Sequence, residues 1–249
     1  MQTSGCLIII GNEILSGRTQ DKNLSWIAKE LNETGIRLTE VRVIPDIEDT
    51  IIETVNLCRK NHAYVFTTGG IGPTHDDITS AAIAKAFGVP LEKNTDAVAI
   101  LERHYDKAKL NEARLKMAHM PRGSALILNP VSAAPGFRIE NVYVMAGVPE
   151  IMQAMFGQVK HELKGGAKML SKTVSAYVTE GNIAAGLSAI QDRYPDVEIG
   201  SYPFVRQNQL GTSLVARATD ASRIEAASAE IKALLLGLCD KVFEEDWVN

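Results

Sequence analysis

The feature that most restricts the fold of this chain is an alternation of short apolar runs with helical stripes, broken each time by a polar turn. Residues 6–10, CLIII, form an apolar run that ends at Gly11, the pattern of a strand buried on both faces. Asn23 precedes Leu24, Ile27, Ala28 and Leu31 at helical spacing, and that stripe stops near Gly35. A second strand carries Ile36, Leu38, Val41, Val43 and Ile44 and ends at Pro45-Asp46; Ile51, Ile52, Val55 and Cys58 follow as a second helix. A third strand, AYVFTT, runs straight into TTGGIGPTHDDIT at 67–79, with Ile78, Ala82, Ile83 and Ala86 again at helical spacing. Strand–helix–strand–helix–strand–glycine loop–helix predicts an α/β fold with a parallel sheet. Ligands bind beyond the carboxyl ends of such strands, so the polar residues of GNE, PD and GGIGPTHDD should converge on one rim.

Residues 94–119 read as helical and charged. Two further strands, ALIL and VYVM, are each followed by a kinked turn, NPVSAAPG and AGVP, and a helix over 149–163 closes the unit. The break KGGAKML at 164–170 divides a first domain, 1–166, from a small α+β domain, 171–249, in the order β-α-β-β-α. From Ser171 onward there are 7 Lys and Arg against 11 Asp and Glu, a net charge of −4, which is the charge of the whole chain.

That charge balance argues against a nucleic-acid partner, which selects for basic faces. The β-α-β-β-α order would suit a KH-type RNA binder, but such a module needs a GXXG loop, and Gly181 and Gly186 have the wrong spacing. Packing or dimerisation, and hence a homo-oligomer, is the expected role. No run of apolar residues is long enough to span a bilayer, and the start, MQTSGCLIIIGNEIL, reads as a first strand and not a signal peptide. Three scattered cysteines fit a reducing, cytoplasmic setting with no disulfide framework.

Three constellations carry chemistry. Gly69, Gly70 and Gly72 lack Cβ atoms, so successive amides can face inward as an anion nest, with Thr74 beside them and the next helix adding its positive end. The plain alternative is a strand-to-helix turn capped by Asp77 or Thr79. Glu13, Asp46, Asp76 and Asp77 lie where strands end, and hard divalent ions such as Mg²⁺ take oxygen ligands of this kind. Asp46 reads equally as the N-cap of the helix after Pro45, Glu13 as a surface residue, and Asp76 as solvated. His75 reads either as a proton shuttle or phosphate donor or as an ordinary exposed histidine. In NPVSAAPGF, Asn129, Ser132, Ala133, Ala134 and Gly136 would let a flat ring approach the backbone closely, or simply pack two strands at a turn.

With these residues quoted, GNEILSGRTQDKN, TTGGIGPTHDDIT and NPVSAAPGF…VMAGVPEIM resemble the amino-terminal, molybdopterin-binding-like domain of the CinA (competence/damage-inducible) proteins, in the MogA/MoaB-like superfamily. The tail is similar to the small KH-like domain that follows it there. The resemblance covers nearly the whole chain and implies a three-layer α/β/α fold with a mostly parallel sheet. It implies that the glycine loop and Asp77 bind a pterin phosphate or nucleotide, with Asp46 opposite, and that a divalent metal supports cleavage of the pyrophosphate in ADP-ribose and FAD. Under the residue reading and the resemblance together, Asp77, Asp46 and His75 are catalytic. Gly69, Gly70, Gly72, Thr74, Asn129, Ala134 and Gly136 hold the ligand, and Asp77, Asp46, Glu13 and Asn12 hold the metal. A molybdopterin- or nucleotide-binding protein without turnover is the rival. Asn12 stands where relatives carry an aspartate, so one charge is missing from the metal set. Full-length relatives also carry a further amide-hydrolysing domain; these residues do not match it, and its activity is not carried over.

Overall fold

A computed structural model describes residues 3–106, 108–206 and 208–248, the side chains of 245–248 excepted. The chain divides into two compact units, Met1–Gly166 and Ala167–Asn249.

The first unit is a three-layer sandwich. Its strands are β1 (Thr3–Ile10), β2 (Ile36–Ile44), β3 (Tyr64–Thr68), β4 (Leu91–Lys93), β5 (His119–Pro121), β6 (Ala125–Ile127), β7 (Gly136–Ile139) and β8 (Val142–Met145). Its helices are α1 (Asn12–Leu15), α2 (Asn23–Glu33), α3 (Glu48–Asn61), α4 (Thr79–Ala86), α5 (Thr95–His104), α6 (Glu112–Lys116) and α7 (Pro149–Val159). Six strands form one sheet in the order β2-β1-β3-β8-β7-β6, while β4 and β5 make a separate antiparallel ribbon. The pairs β1–β2, β1–β3 and β3–β8 are parallel, and β7 runs against both neighbours. The fold is therefore α/β with a mostly parallel sheet.

The run CLIII reads as a doubly buried strand because it is one. Cys6, Ile8 and Ile10 face a core shared with Ile51 and Val55 of α3 and Ile83 of α4. Leu7 and Ile9 face the opposite core, with Ile27 and Leu31 of α2 and Met155 and Phe156 of α7. Each fully buried side chain of this size contributes roughly 1.5–3 kcal/mol, so both faces of β1 add to the stability of the sheet. β1, β2 and β3 run in register, Ile10 beside Ile44 and Ile9 beside Thr68, so their C-terminal ends share one rim.

Strand β2 departs from simple alternation. Its apolar residues Ile36, Leu38, Val41 and Val43 slip phase by one between 38 and 41. The register slips at the same place: Gly5 pairs with Leu38 but Cys6 pairs with Glu40, leaving Thr39 as the extra residue of a bulge. A bulge of this kind switches which residues point to which face. Glu40, Arg42 and Ile44 therefore share the face of Cys6, Ile8 and Ile10.

Several elements were not anticipated. The segment 94–119, which reads as helical, holds two separate helices, α5 and α6, and ends in β5. β7 leaves little signal in the sequence because it is four residues long and its hairpin with β8 turns at Glu140 (φ 49°) without a glycine.

The second unit contains β9 (Leu170–Ala176), α8 (Glu180–Arg193), β10 (Glu198–Arg206), β11 (Gln209–Ala218), α9 (Ala221–Leu236) and β12 (Val242–Val248). Its antiparallel sheet has the order β10-β11-β9-β12. Ile183 and Ile190 of α8 and Ile224, Ile231 and Leu235 of α9 pack with Val174, Leu214 and Ala216 of the sheet. The order is thus β-α-β-β-α-β. The last strand carries Glu244, Glu245 and Asp246, which mask its signal; it pairs with β9 at the edge of the sheet. An edge strand tolerates charge, and Glu244 meets Lys172 and Lys232.

Candidate functional site

The loop between β3 and α4 begins in the left-handed region, with φ 104° at Gly69 and 68° at Gly70. A Cβ at Gly69 would lie 2.1 Å from the Ile10 carbonyl oxygen, and one at Gly70 would lie 2.1 Å from Thr79 Oγ1. Both glycines are thus required by the loop itself. The Gly69 amide donates to Met145 O at 3.1 Å and does not contribute to a nest. The amides of Gly70, Ile71 and Gly72 find no acceptor among the described residues. Three consecutive donors therefore remain for an anion.

The helix that follows does not open onto this loop as expected. The Thr79 amide donates to Gly70 O at 3.0 Å and its hydroxyl to Gly69 O at 3.1 Å, so the start of α4 closes back on the loop. Neither Asp77 nor Thr79 caps α4; Ile78 holds that position without a side-chain bond. A different helix start reaches the site. α7 begins with Pro149 at its first turn and no side-chain cap at Val148, and Gly147, Val148 and Pro149 face the same space as the glycine loop.

That space is a cavity of about 510 Å³, within the range of small-molecule sites. Gly69, Gly70, Gly72, Asp77, Glu13, Asn129 and Ala134 all border it, with Thr19, Ile71, Met117, Ser132 and Ile151 completing the apolar and hydroxyl walls. Asp46, Asn12, His75, Thr74 and Gly136 do not border it.

Each of these residues has another occupation. Asp46 Oδ2 accepts the Asn12 amide at 2.9 Å, tying the exit of β1 to the exit of β2; it is not the cap of α3, where Ile47 stands. His75 is 99% exposed at the loop tip, 4.0 Å from Asp76. Thr74 holds the loop's acids: its amide reaches Asp77 Oδ2 at 2.8 Å, and its hydroxyl lies within 2.6 Å of Asp76 Oδ1 and 2.5 Å of Asp77 Oδ2. The Thr74 hydroxyl is also the main reason the Asp76 carboxyl is held below its usual range. A Cβ at Gly136 would meet Val144 O at 2.3 Å, so this glycine serves the close pairing of β7 with β8.

Asn129 borders the cavity, but its polar atoms are spent. Nδ2 donates to Ser132 Oγ at 2.6 Å and to Ala134 O at 2.9 Å, while Oδ1 accepts the amides of Val131 and Ser132. The side chain builds its own turn, which also forces Ala133 to φ 64°.

The acids do not gather into a cage. Among the described residues, Glu13, Asp46 and Asp77 do not come together as a three-ligand cluster. Glu13 and Asp77 are the two that share the cavity, and the Glu13 carboxylate folds back over Gly11.

Residues 6–165 match the family described as "probable molybdopterin binding domain". The chain belongs to this family. Its molybdopterin-binding-type unit is followed by residues 168–239, which match the middle domain of FAD synthase. A protein of Archaeoglobus fulgidus is 37% identical over 197 residues, 79% of this chain and 84% of its own length. A protein of Aeropyrum pernix is 35% identical over 245 residues, 92% of this chain and 90% of its own. The crystal structure described as "the protein CinA with unknown function" from Thermoplasma acidophilum is 32% identical, with a TM-score of 0.61, covering 65% of this chain and 99% of that one.

Lys116 was not singled out from the sequence. Its ammonium donates to Thr74 O, and with His119 it borders a small recess on another side of Asp77. In the sequence it is one charge in a charged helix, and only tertiary contact brings it to the loop. Thr19 had a local signal, since it lies inside GNEILSGRTQ. Among the described residues no helix is long and apolar enough to cross a membrane.

Proposed function

We propose that this chain is a divalent-metal-dependent nucleotide pyrophosphatase acting on ADP-ribose- or FAD-like dinucleotides. The observation that carries it is the meeting, in one cavity, of three unpaired amides at Gly70, Ile71 and Gly72 with the carboxylates of Glu13 and Asp77. Amides in such a row bind diphosphate oxygens, whereas carboxylates beside a bound phosphate would repel it. The pairing has a physical use when a cation stands between them. The donor set fits an ion of the Mg²⁺ type, which takes one or two carboxylates and fills its shell with water and substrate phosphate; Glu13 and Asp77 would hold it. When bound, such an ion neutralises charge on the phosphates and acidifies a coordinated water. The chain's own part is positional. The glycine-loop amides and the start of α7 receive the diphosphate; Ala134, Met117 and Ile151 offer a wall for a ring. Thr74 fixes the Asp77 carboxylate, and Asp46 acts through Asn12 on the α1 segment that carries Glu13. The match of residues 168–239 to the middle domain of FAD synthase supports a flavin or adenine dinucleotide as ligand.

The second unit, read as KH-like, serves packing or self-association, since its charge of −4 and lack of a GXXG loop do not suit RNA. A reducing, cytoplasmic setting fits three cysteines that all remain thiols.

The second reading is a protein that holds molybdopterin or a nucleotide without turnover, in molybdenum cofactor biosynthesis. Two observations favour it: the acids form no three-ligand cluster among the described residues, and Asp77 is already bonded to Thr74. Incubating the full chain with ADP-ribose and FAD, each with Mg²⁺, Mn²⁺ or Co²⁺, decides between them. Metal-dependent release of AMP supports hydrolysis. Saturable binding with no AMP under any metal leaves the binding protein.

A further inference from the structure

A second group of chemically active side chains lies away from the cavity, on the α3 face of the sheet. Cys6 of β1 and Cys58 of α3 are both fully buried, with their sulfurs 3.4 Å apart. The Glu40 carboxylate joins them, all three donor atoms lying within 4.8 Å of one another. Cys6 is four residues before Ile10, so the group sits about 13 Å back along β1 from the rim. None of its members borders the cavity.

The arrangement is a product of the β2 bulge. In unbroken register Cys6 would face Thr39; the slip after Gly5 puts Glu40 opposite it, on the same side of the sheet. The carboxylate is then held from both sides. His62 Nε2 lies 2.8 Å from Glu40 Oε2, and Arg42 Nε donates to Oε1 at 2.6 Å. The other imidazole nitrogen, Nδ1, lies 3.3 Å from Thr39 Oγ1, the bulged residue. These partners hold the Glu40 carboxyl below its usual range, His62 most of all. A histidine and an arginine fixing a carboxylate beside two thiols is the pattern of an outer shell that orients a ligand.

We propose that Cys6, Cys58 and Glu40 bind a thiophilic divalent ion, Zn²⁺ being the natural candidate. Zinc takes thiolate, imidazole and carboxylate ligands in a tetrahedron. Bond lengths of about 2.3 Å space two sulfurs roughly 3.8 Å apart, so a small opening of the thiol pair suffices. A disulfide would instead require closure to about 2.05 Å and has no use for the carboxylate. Charge also balances: two thiolates and a carboxylate exceed the ion by one negative charge, and the Arg42 guanidinium offsets it. The ion enters past Glu40, whose side chain is 32% exposed, while the sulfurs stay in the dry core. His62 keeps its place as the outer-shell partner that orients the carboxylate, and a water entering with the ion would take the fourth position.

The test uses the full chain, purified under reducing conditions. Zinc should remain at about one equivalent after dialysis. Replacing it with Co²⁺ should give an intense near-ultraviolet thiolate-to-cobalt band, which carboxylate and amide sites do not produce. Cys6→Ser and Cys58→Ser should each abolish the band, and Glu40→Gln, which removes a proposed ligand, should weaken Co²⁺ binding by more than the roughly 10- to 100-fold that losing an outer-shell partner costs. Asp77→Asn should leave the band unchanged, so the outcome does not depend on the pyrophosphatase reading. If a serine variant fails to fold, Glu40→Gln, at a half-exposed position, still decides. A folded wild type without the band at saturating Co²⁺ overturns the proposal. So does a purified protein lighter by two hydrogens in which, after denaturation, only Cys239 reacts with thiol reagents, which would make the pair a disulfide.

Discussion

Two loops border the same cavity and read alike in sequence, both rich in small residues and both following a strand: Gly69–Asp77 and Asn129–Gly136. Their hydrogen bonds differ. The first leaves three amides without an acceptor among the described residues and holds its acids with one threonine. The second spends all the polar atoms of Asn129 on its own turn, and the amides of Ala133 and Ala134 on Asn129 O and Ser132 O. A buried polar group left unpaired costs free energy, so donors are left open only where something else satisfies them, water or ligand. On the proposed reading the glycine loop receives a ligand, whereas the asparagine turn spends its polar atoms on its own shape.

The largest expected effect tests the receiving loop. Asp77→Asn keeps an oxygen for the Thr74 amide but removes the charge facing the cavity. Metal-dependent kcat/KM for ADP-ribose should fall roughly 100- to 1000-fold, with a stability change of only about 1 kcal/mol. Full turnover at limiting metal would remove Asp77 from the metal site. Asn129→Ala should do the reverse. Losing four hydrogen bonds in a buried turn should cost about 2–4 kcal/mol by denaturant melting, while the variant that remains folded should bind nucleotide with little change. A variant of unaltered stability that no longer binds would make Asn129 a ligand contact after all.

Gly70→Ala is informative because it does not separate binding from folding. A Cβ there meets Thr79 Oγ1, and φ is 68°, so a loss of about 2 kcal/mol in stability should accompany any loss of binding. A binding defect at this position therefore proves little without the melting curve. Asp46→Asn should lower turnover by less than about tenfold, since an amide oxygen can still accept the Asn12 amide; a defect as deep as that of Asp77→Asn would put Asp46 on the metal. The smallest effect is Ala133→Gly. Relief of the left-handed backbone exceeds the entropy cost of glycine by about 0.5 kcal/mol, so the melting temperature should rise slightly with activity untouched. A fall would mean that the Ala133 methyl packs against something the turn needs.

Legibility followed the range of the interactions. The strand-and-helix alternation through α4 was readable because burial on one or both faces imposes a local period. What failed was short or charged. β7 has four residues and no glycine turn, and β12 is an edge strand crossed by three acids. At the site, the positions of Gly69 and Gly70 were readable, but their reason was not. Both are required by contacts with Ile10 and Thr79 across the rim, before any ligand is considered.

The apolar periods of the sequence determined by themselves that this chain forms a mostly parallel sheet with its polar turns on one rim, because each period depends on residues within a few positions. Which of those polar groups stay open was decided only in three dimensions. Asp46 turned to the Asn12 amide and Asn129 to its own turn, while α7 and not α4 brought its start to the cavity. The β2 bulge shows the same division. Its phase slip is written in Leu38 and Val41, but that it brings Glu40 to Cys6 and Cys58 follows from strand pairing and from the packing of α3. The Asp46–Asn12 and Glu40–His62 bonds and the strand register are set between segments distant in sequence, and no local pattern encodes them.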